Sequence, residues 1–181
     1  MYPTMSTFEV LLFAFGTSAI GVISWNFSIK AGRYHGIYRF FAFESLLILL
    51  LLNWRYWFDE PFSLAQCVSW VFLFGSILPA YEGYRLLSKL GRSDTQFENT
   101  TVLVTIGIYK YIRHPLYASL ALLGIGMLFK HISTFSIIAA LVDLAAVYAT
   151  AHREESEMIA RFGRQYEDYM NKSKMFIPYI L

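Results

Sequence analysis

Two polar segments of this chain contain residue types that could do chemistry, although apolar sequence surrounds both. The first runs from Gly107 to Tyr117 and includes Arg113 and His114, and the second is the pair Glu154-Glu155 about 40 residues later. Ionisable residues are costly to hold at membrane depth, so they commonly mark a functional site. The two segments predict one site that recognises a charged ligand.

The residue types in these segments suit a zwitterionic ligand. A helix N-terminus and a cation such as Arg113 bind carboxylates. A glutamate binds an ammonium group or ribose hydroxyls, and the faces of tyrosine rings attract a sulfonium cation. S-Adenosylmethionine presents all of these groups.

The rest of the chain has the composition of a membrane protein. Of its 181 residues, 56% are hydrophobic and only 15% are charged, which is far more apolar than a soluble domain. A membrane-spanning helix needs roughly 20 apolar residues. Five stretches qualify, the fourth being short: Phe8 to Ile29, Ile37 to about Trp57, Phe62 to about Ala80, Leu116 to Phe129, and Ile132 to Ala151. The sequence predicts an all-α integral membrane protein with five transmembrane helices and one domain, residues 1–181.

The basic residues predict the orientation of these helices. Lys30, Arg33 and Arg39 lie around the first connection, and the third connection and the C-terminal part are also rich in lysine and arginine. Positive charge favours the cytoplasmic side, so we expect the N-terminus outside and the C-terminus in the cytoplasm. The first apolar stretch lacks the features of a cleaved signal peptide and is expected to remain as a helix.

The connection between the fourth and fifth helices predicts how the two polar segments meet. Only Lys130 and His131 separate these stretches, so the helices should form an antiparallel hairpin. Pro115 suits the first turn of the fourth helix, with His114 at the cap position before it. The hairpin would bring this helix start beside Glu154-Glu155 on the cytoplasmic face.

A further amphipathic pattern follows the fifth span. Met158, Phe162, Tyr166 and Tyr169 recur at spacings of four, four and three residues. This spacing predicts an amphipathic C-terminal helix. We expect it to lie along the membrane interface and to cover the polar cluster as a lid or wall.

Short motifs over about half of the chain resemble those of a known enzyme family. They are Leu90-Gly91-Arg92, the run from Leu103 to Tyr109, Arg113-His114-Pro115-Leu116-Tyr117, Glu154-Glu155, and the run from Phe162 to Tyr169. Their types and order resemble those of integral membrane S-adenosylmethionine-dependent methyltransferases, which include isoprenylcysteine carboxyl methyltransferases and phospholipid methyltransferases. The resemblance implies a cofactor-binding part at about residues 90–178.

The resemblance also implies roles for individual residues. The expected contacts with S-adenosylmethionine come from Leu103, Val104, Tyr109, His114, Tyr117 and Glu154. The candidates for catalysis are Arg113, Tyr117 and Glu155. Two positions depart from the family pattern, because Thr101 replaces a common histidine and Thr150 replaces an arginine that binds a substrate carboxylate. Arg153 could take over the role of that arginine.

One acidic residue within the fifth span predicts part of an acceptor pocket. Asp143, Val147, Thr150 and Glu154 share one helix face, and Asp143 lies about 16 Å deeper than Glu154 at 1.5 Å per residue. The predicted substrate-binding residues are therefore Asp143, Thr150 and Arg153. Alternatively, Asp143 pairs with Arg39 or forms a hydrogen bond between helices.

Several functions agree with these observations. The first is methyl transfer to a lipophilic acceptor, which could be a prenylcysteine-like carboxylate, a phospholipid amine or a small thiol. An alternative is an NADPH-dependent reductase, because the segment from Phe176 to Ile180 resembles sterol reductases. A non-catalytic membrane scaffold or a small transporter is the third possibility.

Other classes of site receive no support from the sequence. The four histidines are too scattered for a metal site, and a net charge of +2 does not favour nucleic-acid binding. Cys67 is the single cysteine and cannot form an intrachain disulfide. Gly124 and Gly126 are expected to provide a smooth helix-packing face, with cofactor contact as the alternative. The oligomeric state stays open, and membrane lipids are the expected surroundings.

Overall fold

A bundle of α-helices makes up the described part of the chain, which in this computed structural model comprises residues 6–31, 35–91 and 102–180. The helices are α1 (Thr7–Phe27), α2 (His35–Asn53), α3 (Leu64–Leu90), α4 (Pro115–Leu128), α5 (Thr134–Phe162) and α6 (Arg164–Lys172). Short 3-10 helices cover Ile29–Ala31, Trp54–Tyr56 and Gly107–Lys110. No β-strand occurs within these three ranges, which confirms the all-α prediction for them.

Four of these helices are long and apolar enough to cross a membrane, namely α1, α2, α3 and α5. They agree with a multi-pass integral membrane protein. The predicted fourth span corresponds to α4, which is apolar but has only 14 residues. The count of five crossings therefore stays a prediction.

Local capping explains where most of these helices begin. Ser6 and Glu9 form a reciprocal capping box at the start of α1, which satisfies backbone N–H groups that the helix cannot. Ser63 caps α3 and Ser133 caps α5 through their side-chain oxygens. At α4, the cap position is His114 and the first helical residue is Pro115, as the sequence predicts.

Two helices extend further than the hydrophobic pattern predicts. The third span was expected to end near Ala80, but α3 continues to Leu90, and Pro115 packs closely against Gly83 in this additional stretch. The fifth was expected to end at Ala151, but α5 continues to Phe162. Apolarity marks where a helix leaves the membrane, and it does not mark where the helix ends.

Gly163 divides the predicted C-terminal amphipathic helix. Met158 and Phe162 belong to α5, whereas Tyr166 and Tyr169 belong to α6. Gly163 lies between them with φ 54° and ψ −133°, a backbone conformation essentially reserved for glycine. The prediction of a single continuous helix through these four residues was therefore wrong.

Helix α4 lies at the centre of the bundle and packs on α2, α3 and α5. Leu49, Leu73, Met127, Ala139 and Ala140 form one buried apolar cluster between these helices. Gly124 approaches the Asp143 carboxylate so closely that a Cβ there would collide with it. The predicted packing role of the glycines on α4 is confirmed.

A polar network closes the end of the bundle where α4 turns into α5. Asn53 donates to the Met127 carbonyl at 2.8 Å, and Ser136 donates to the Asn53 side chain at 3.0 Å. The Lys130 ammonium donates to Gln66 at 2.9 Å and lies 3.5 Å from the centre of the Trp70 ring. Burial lowers the pKa of Lys130. These contacts hold the hairpin turn, and the predicted site lies at the opposite end.

Candidate functional site

A cavity of about 490 Å³ lies at that opposite end of the bundle. Its volume is in the range of sites that bind drug-sized ligands. The residues that line it come from all six helices and from the segment before α4, and they are Ile23, Arg39, Phe43, Leu87, Val102, Leu103, Val104, Tyr109, Arg113, His114, Pro115, Leu116, Tyr117, Ser119, Leu120, Glu154, Met158, Tyr166 and Tyr169.

Hydrogen bonds to the backbone fix the segment that precedes α4. Tyr109 is buried in the 3-10 turn, and its hydroxyl donates to the Gly83 carbonyl of α3 at 3.3 Å. In turn, the Tyr169 hydroxyl of α6 donates to the Tyr109 carbonyl at 2.6 Å. Val104 and Leu86 pack with Tyr109 in a small apolar cluster. The segment is therefore held between α3 and α6.

The residues after α6 pair with the start of α4 through backbone hydrogen bonds. Lys174 N–H donates to the Tyr111 carbonyl at 3.0 Å, and Arg113 N–H donates to the Lys174 carbonyl at 2.8 Å. His114 N–H donates to the Met175 carbonyl at 3.1 Å. This short parallel pairing, centred on a bridge between Ile112 and Lys174, sets the position of His114.

Glu154 faces the cavity beside His114. Its Oε2 lies 3.8 Å from His114 Nδ1, and its side chain keeps 31% of its exposure. The Nε2 atom of His114 is buried without a hydrogen-bond partner in the described structure, although Glu155 Oε1 lies 3.3 Å away. Glu154 therefore presents a partly accessible carboxylate to the cavity beside a buried imidazole ring, and a polar group of a ligand could bond to that carboxylate.

Glu155 is instead joined to Arg113. Arg113 Nε donates to Glu155 Oε1 at 2.6 Å, and its Nη1 donates to the Ser173 and Met170 carbonyls at 2.6 and 3.3 Å. The two side chains are 9% and 6% exposed. This ion pair joins the start of α4 to α5 and to the segment after α6, and we name it the Arg113 clamp.

Three buried tyrosines bring neutral phenols to the site. Burial raises the pKa of Tyr109, Tyr166 and Tyr169, and the charge of Glu154 adds to the effect at Tyr109 and Tyr166. Their hydroxyls therefore keep their protons at neutral pH. They offer aromatic faces and hydrogen bonds, and they do not act as phenolate bases there.

The structure brings most of the predicted site residues to the cavity. The predicted residues that line it are Leu103, Val104, Tyr109, Arg113, His114, Tyr117 and Glu154. Four others do not line it, namely Glu155, Asp143, Thr150 and Arg153. Arg92 of the first motif and Thr101 lie outside the described residues.

The predicted acceptor residues on α5 lie elsewhere in the described structure. Asp143 is fully buried against Gly124, and both of its carboxylate oxygens lack a hydrogen-bond partner there. Thr150 is also fully buried and donates to the Ala146 carbonyl at 2.7 Å, whereas Arg153 is exposed. The alternative of an Asp143–Arg39 pair receives no support, because neither carboxylate oxygen of Asp143 has a hydrogen-bond partner within the described residues.

Sequence reasoning missed part of the cavity wall. Ile23 of α1 and both Arg39 and Phe43 of α2 line the cavity, but the sequence analysis used Arg39 only as a topology signal and as an alternative partner of Asp143. Tyr166 and Tyr169, in contrast, were expected on a helix that covers the polar cluster as a lid or wall, and both line the cavity. All faces of α1 are similarly apolar, so its sequence does not indicate that the face with Ile23 lines the cavity.

Two curated proteins are similar to parts or all of this chain. The nickel-cobalt-cadmium resistance protein NccN of Alcaligenes xylosoxydans xylosoxydans is 31% identical over 81 residues, which cover 44% of this chain and 37% of that protein. The methanethiol S-methyltransferase of Crocosphaera subtropica (strain ATCC 51142 / BH68) is 24% identical over 179 residues, which cover 99% of this chain and 60% of that enzyme. The chain thus spans less than two thirds of either relative.

A family match supports the resemblance seen in the motifs. It covers residues 64–165, more than half of the chain, and includes α3, the segment before α4, α4 itself and α5. These are the elements that supply His114, Glu154 and the Arg113 clamp. On this evidence the chain belongs to the phospholipid methyltransferase family.

Proposed function

We propose that this protein is an integral membrane methyltransferase that moves a methyl group from S-adenosylmethionine to a lipophilic acceptor. The observation that carries the proposal is the convergence of distant motif residues on one cavity. Leu103, His114 and Glu154 lie far apart in the sequence, yet all of them line it. Membership of the phospholipid methyltransferase family supports the same reaction class.

The cavity residues fit such a donor. The carboxylate of Glu154 suits an ammonium group or ribose hydroxyls, and the His114 ring lines the cavity beside it. Tyr109, Tyr166 and Tyr169 present aromatic rings to a cationic sulfonium. Leu103, Val104 and Tyr117 complete the proposed donor contacts, and S-adenosylmethionine would supply the electrophilic methyl group.

The residues would accelerate transfer chiefly by alignment and by excluding water. An in-line displacement gains most when the two reacting atoms are held close together, and an anionic nucleophile reacts faster once its water shell is removed. We assign the Arg113 clamp a positioning role, because Arg113 donates to Glu155 and to the Met170 and Ser173 carbonyls. Tyr117 lines the cavity and remains our candidate for proton handling.

The acceptor is one of three classes, namely a prenylcysteine-like carboxylate, a phospholipid amine or a small thiol. The methanethiol S-methyltransferase relative supports a thiol. A carboxylate that binds through Arg153 has less support, because Arg153 is exposed and lies outside the cavity lining.

We further propose one domain with five membrane crossings and the cavity on the cytoplasmic side. At 1.5 Å per residue, α4 measures about 21 Å, so flanking residues would have to complete its crossing. The positive charge around the first connection favours an N-terminus on the outside. Helix α6 would then lie along the cytoplasmic interface, with Tyr166 and Tyr169 towards the cavity.

Titration calorimetry with S-adenosylmethionine tests this proposal on the purified protein in detergent. The wild type should bind the donor, and Glu154→Gln should weaken binding by roughly tenfold or more, as expected for the loss of a charge-assisted hydrogen bond. Asp168→Asn is the matched control, since it removes the same charge from an exposed position on α6.

Two results would contradict the proposal. One is the absence of donor binding by the wild type, and the other is equal binding by Glu154→Gln and the wild type. NADPH provides a comparison ligand in the same experiment, because binding of NADPH alone would favour a reductase.

A further inference from the structure

The segment of residues 102–110 supplies a large part of the cavity lining but has little regular structure of its own. Val102, Leu103, Val104 and Tyr109 of this segment line the cavity. Its regular structure is the short 3-10 helix Gly107–Lys110. Contacts with neighbouring elements must therefore fix the positions of these lining residues.

The segment contacts α3 on one side and α6 on the other. Leu86 of α3 lies in one buried apolar cluster with Val104 and Tyr109. The polar contact with α3 is long, because 3.3 Å separate the Tyr109 hydroxyl from the Gly83 carbonyl oxygen. The Tyr169 hydroxyl of α6 lies only 2.6 Å from the Tyr109 carbonyl oxygen, which is short for an O–H donor. Of these two polar contacts, the one with α6 is the closer.

Loss of the Tyr169 hydroxyl would leave the Tyr109 carbonyl without this partner. Both residues are buried, with exposed fractions of 7% for Tyr109 and 8% for Tyr169. A buried carbonyl that lacks a hydrogen bond costs free energy that a solvated carbonyl does not. The segment would then shift so that the carbonyl could bond to water. Such a shift would also move the neighbouring residues that line the cavity.

The position of Tyr169 is itself fixed by contacts with the start of α4. Arg113 Nη1 donates to the carbonyls of Met170 and Ser173, which follow Tyr169 in the chain. The Ser173 hydroxyl donates to the Tyr169 carbonyl at 2.7 Å. The family match ends at residue 165, so it does not include this tyrosine.

We infer that Tyr169 is a positioning residue for the methyl donor, and that its hydroxyl holds the segment of residues 102–110 in the arrangement that binds S-adenosylmethionine. The inference rests on the proposed function and adds a residue to the donor site. The hydroxyl acts through the Tyr109 carbonyl, whereas the Tyr169 ring lines the cavity directly. Tyr169→Phe separates the two contributions, because it removes the hydroxyl and keeps the ring.

Titration calorimetry with S-adenosylmethionine compares the wild type, Tyr169→Phe and Ser69→Ala in detergent. Ser69 provides the matched control, since its hydroxyl also donates to a buried backbone carbonyl, that of Gly126 at 2.7 Å, but it lies outside the cavity lining. Each variant loses one buried hydrogen bond, so each should lower Tm by roughly 2–4 °C. Tyr169→Phe should weaken donor binding roughly fivefold, whereas Ser69→Ala should bind the donor within about twofold of the wild type.

Amide hydrogen exchange tests the same contact without a ligand. The Tyr109 amide donates to the Ile106 carbonyl, and the Ser173 amide donates to the Tyr169 carbonyl. In the wild type these two amides should open with the same free energy, because the Tyr169 hydroxyl joins the segment to α6. In Tyr169→Phe the Tyr109 amide should exchange roughly fivefold faster. In Ser69→Ala it should exchange at the wild-type rate.

The possible failures are distinguishable. If the wild type does not bind S-adenosylmethionine, the proposed function fails and the donor role of Tyr169 fails with it. If the wild type binds the donor and Tyr169→Phe binds it equally well, only the role of Tyr169 is wrong. Equal weakening in Tyr169→Phe and Ser69→Ala would indicate a general effect of lost stability and would overturn that role. Separate opening of the Tyr109 and Ser173 amides in the wild type would overturn it as well.

Discussion

Neighbouring residues of the same type have different surroundings at this site. Glu154 and Glu155 follow one another on α5, but successive side chains of a helix point about 100° apart. Glu154 faces the cavity, whereas Glu155 is buried against Arg113. Residue type and spacing identified the pair as part of the site. Only the direction of each side chain shows that Glu154 can contact a ligand, whereas Glu155 holds Arg113 in place.

Removing one partner of the Arg113 clamp should be strongly destabilising. Arg113→Gln leaves the Glu155 carboxylate without its cation in a site where it is 6% exposed. We expect a loss of about 3 kcal/mol in the free energy of unfolding, measured by titration with a denaturing detergent. The double variant Arg113→Gln with Glu155→Gln should lose less than the sum of the single variants, because it leaves no unpaired charge.

The Arg85–Glu82 pair is a matched control for burial. Its N–O distance is also 2.6 Å, but its side chains are 39% and 29% exposed. Arg85→Gln should change stability little, because exposed ion pairs are screened by solvent. Equal losses in Arg113→Gln and Arg85→Gln would show that burial does not control the strength of the clamp.

At the scale of elements, the break between α5 and α6 shapes the cavity wall. Helix α5 continues from the apolar core to Phe162, and Gly163 then redirects the chain. The turn allows Tyr166 and Tyr169 of α6 to line the cavity. A continuous helix would carry these two tyrosines in another direction.

Gly163→Ala should disturb this wall through the backbone alone. Nothing lies within 4 Å of an added Cβ, but the residue has φ 54°, a region that costs about 1–3 kcal/mol for other residues. We expect reduced thermal stability and weaker binding of S-adenosylmethionine in calorimetry. Unchanged donor affinity would contradict a role for α6 in the donor site.

Gly75→Ala provides the control for that substitution. Gly75 lies within α3, and an added Cβ there also meets nothing within 4 Å. Alanine is favoured over glycine in a helix by up to about 1 kcal/mol. This variant should therefore be as stable as the wild type or more stable, with the same affinity for the donor.

The sequence predicted the site better than it predicted the lengths of the helices. Local sequence signals predict the helix start at Pro115 and the hairpin between α4 and α5. These signals were enough to predict correctly that His114 and Glu154 lie side by side. Asp143 and Thr150 share a helix face with Glu154, but that face turns into the packed core before it reaches their depth. Arg39 was missed as a cavity residue because its position depends on how α2 packs against α5, which no local pattern specifies.

At the scale of the whole molecule, the two ends of the bundle differ. The end at Lys130 is filled by a closed network of side chains and backbone groups. The other end contains the cavity. A bundle of this form can hold a ligand at one end while the other end fixes the relative positions of the helices.

Labelling of introduced cysteines tests the proposed orientation. In a Cys67→Ala background, Asp59→Cys should react with a membrane-impermeant maleimide in intact cells. Asp168→Cys should react only after the membrane is permeabilised, because five crossings put α6 in the cytoplasm. Both positions are exposed, so burial does not bias the comparison. The reverse labelling pattern would invert the proposed topology.

The pairing of Lys174 and Met175 with Arg113 and His114 has a consequence for synthesis. The transmembrane helices can enter the bilayer one after another while the chain is still being made. The backbone at Arg113 and His114, however, receives these partners only after residue 175 has left the ribosome. Nascent chains halted before that point should already be membrane-embedded, yet the backbone pairing that sets the position of His114 in the cavity should be missing.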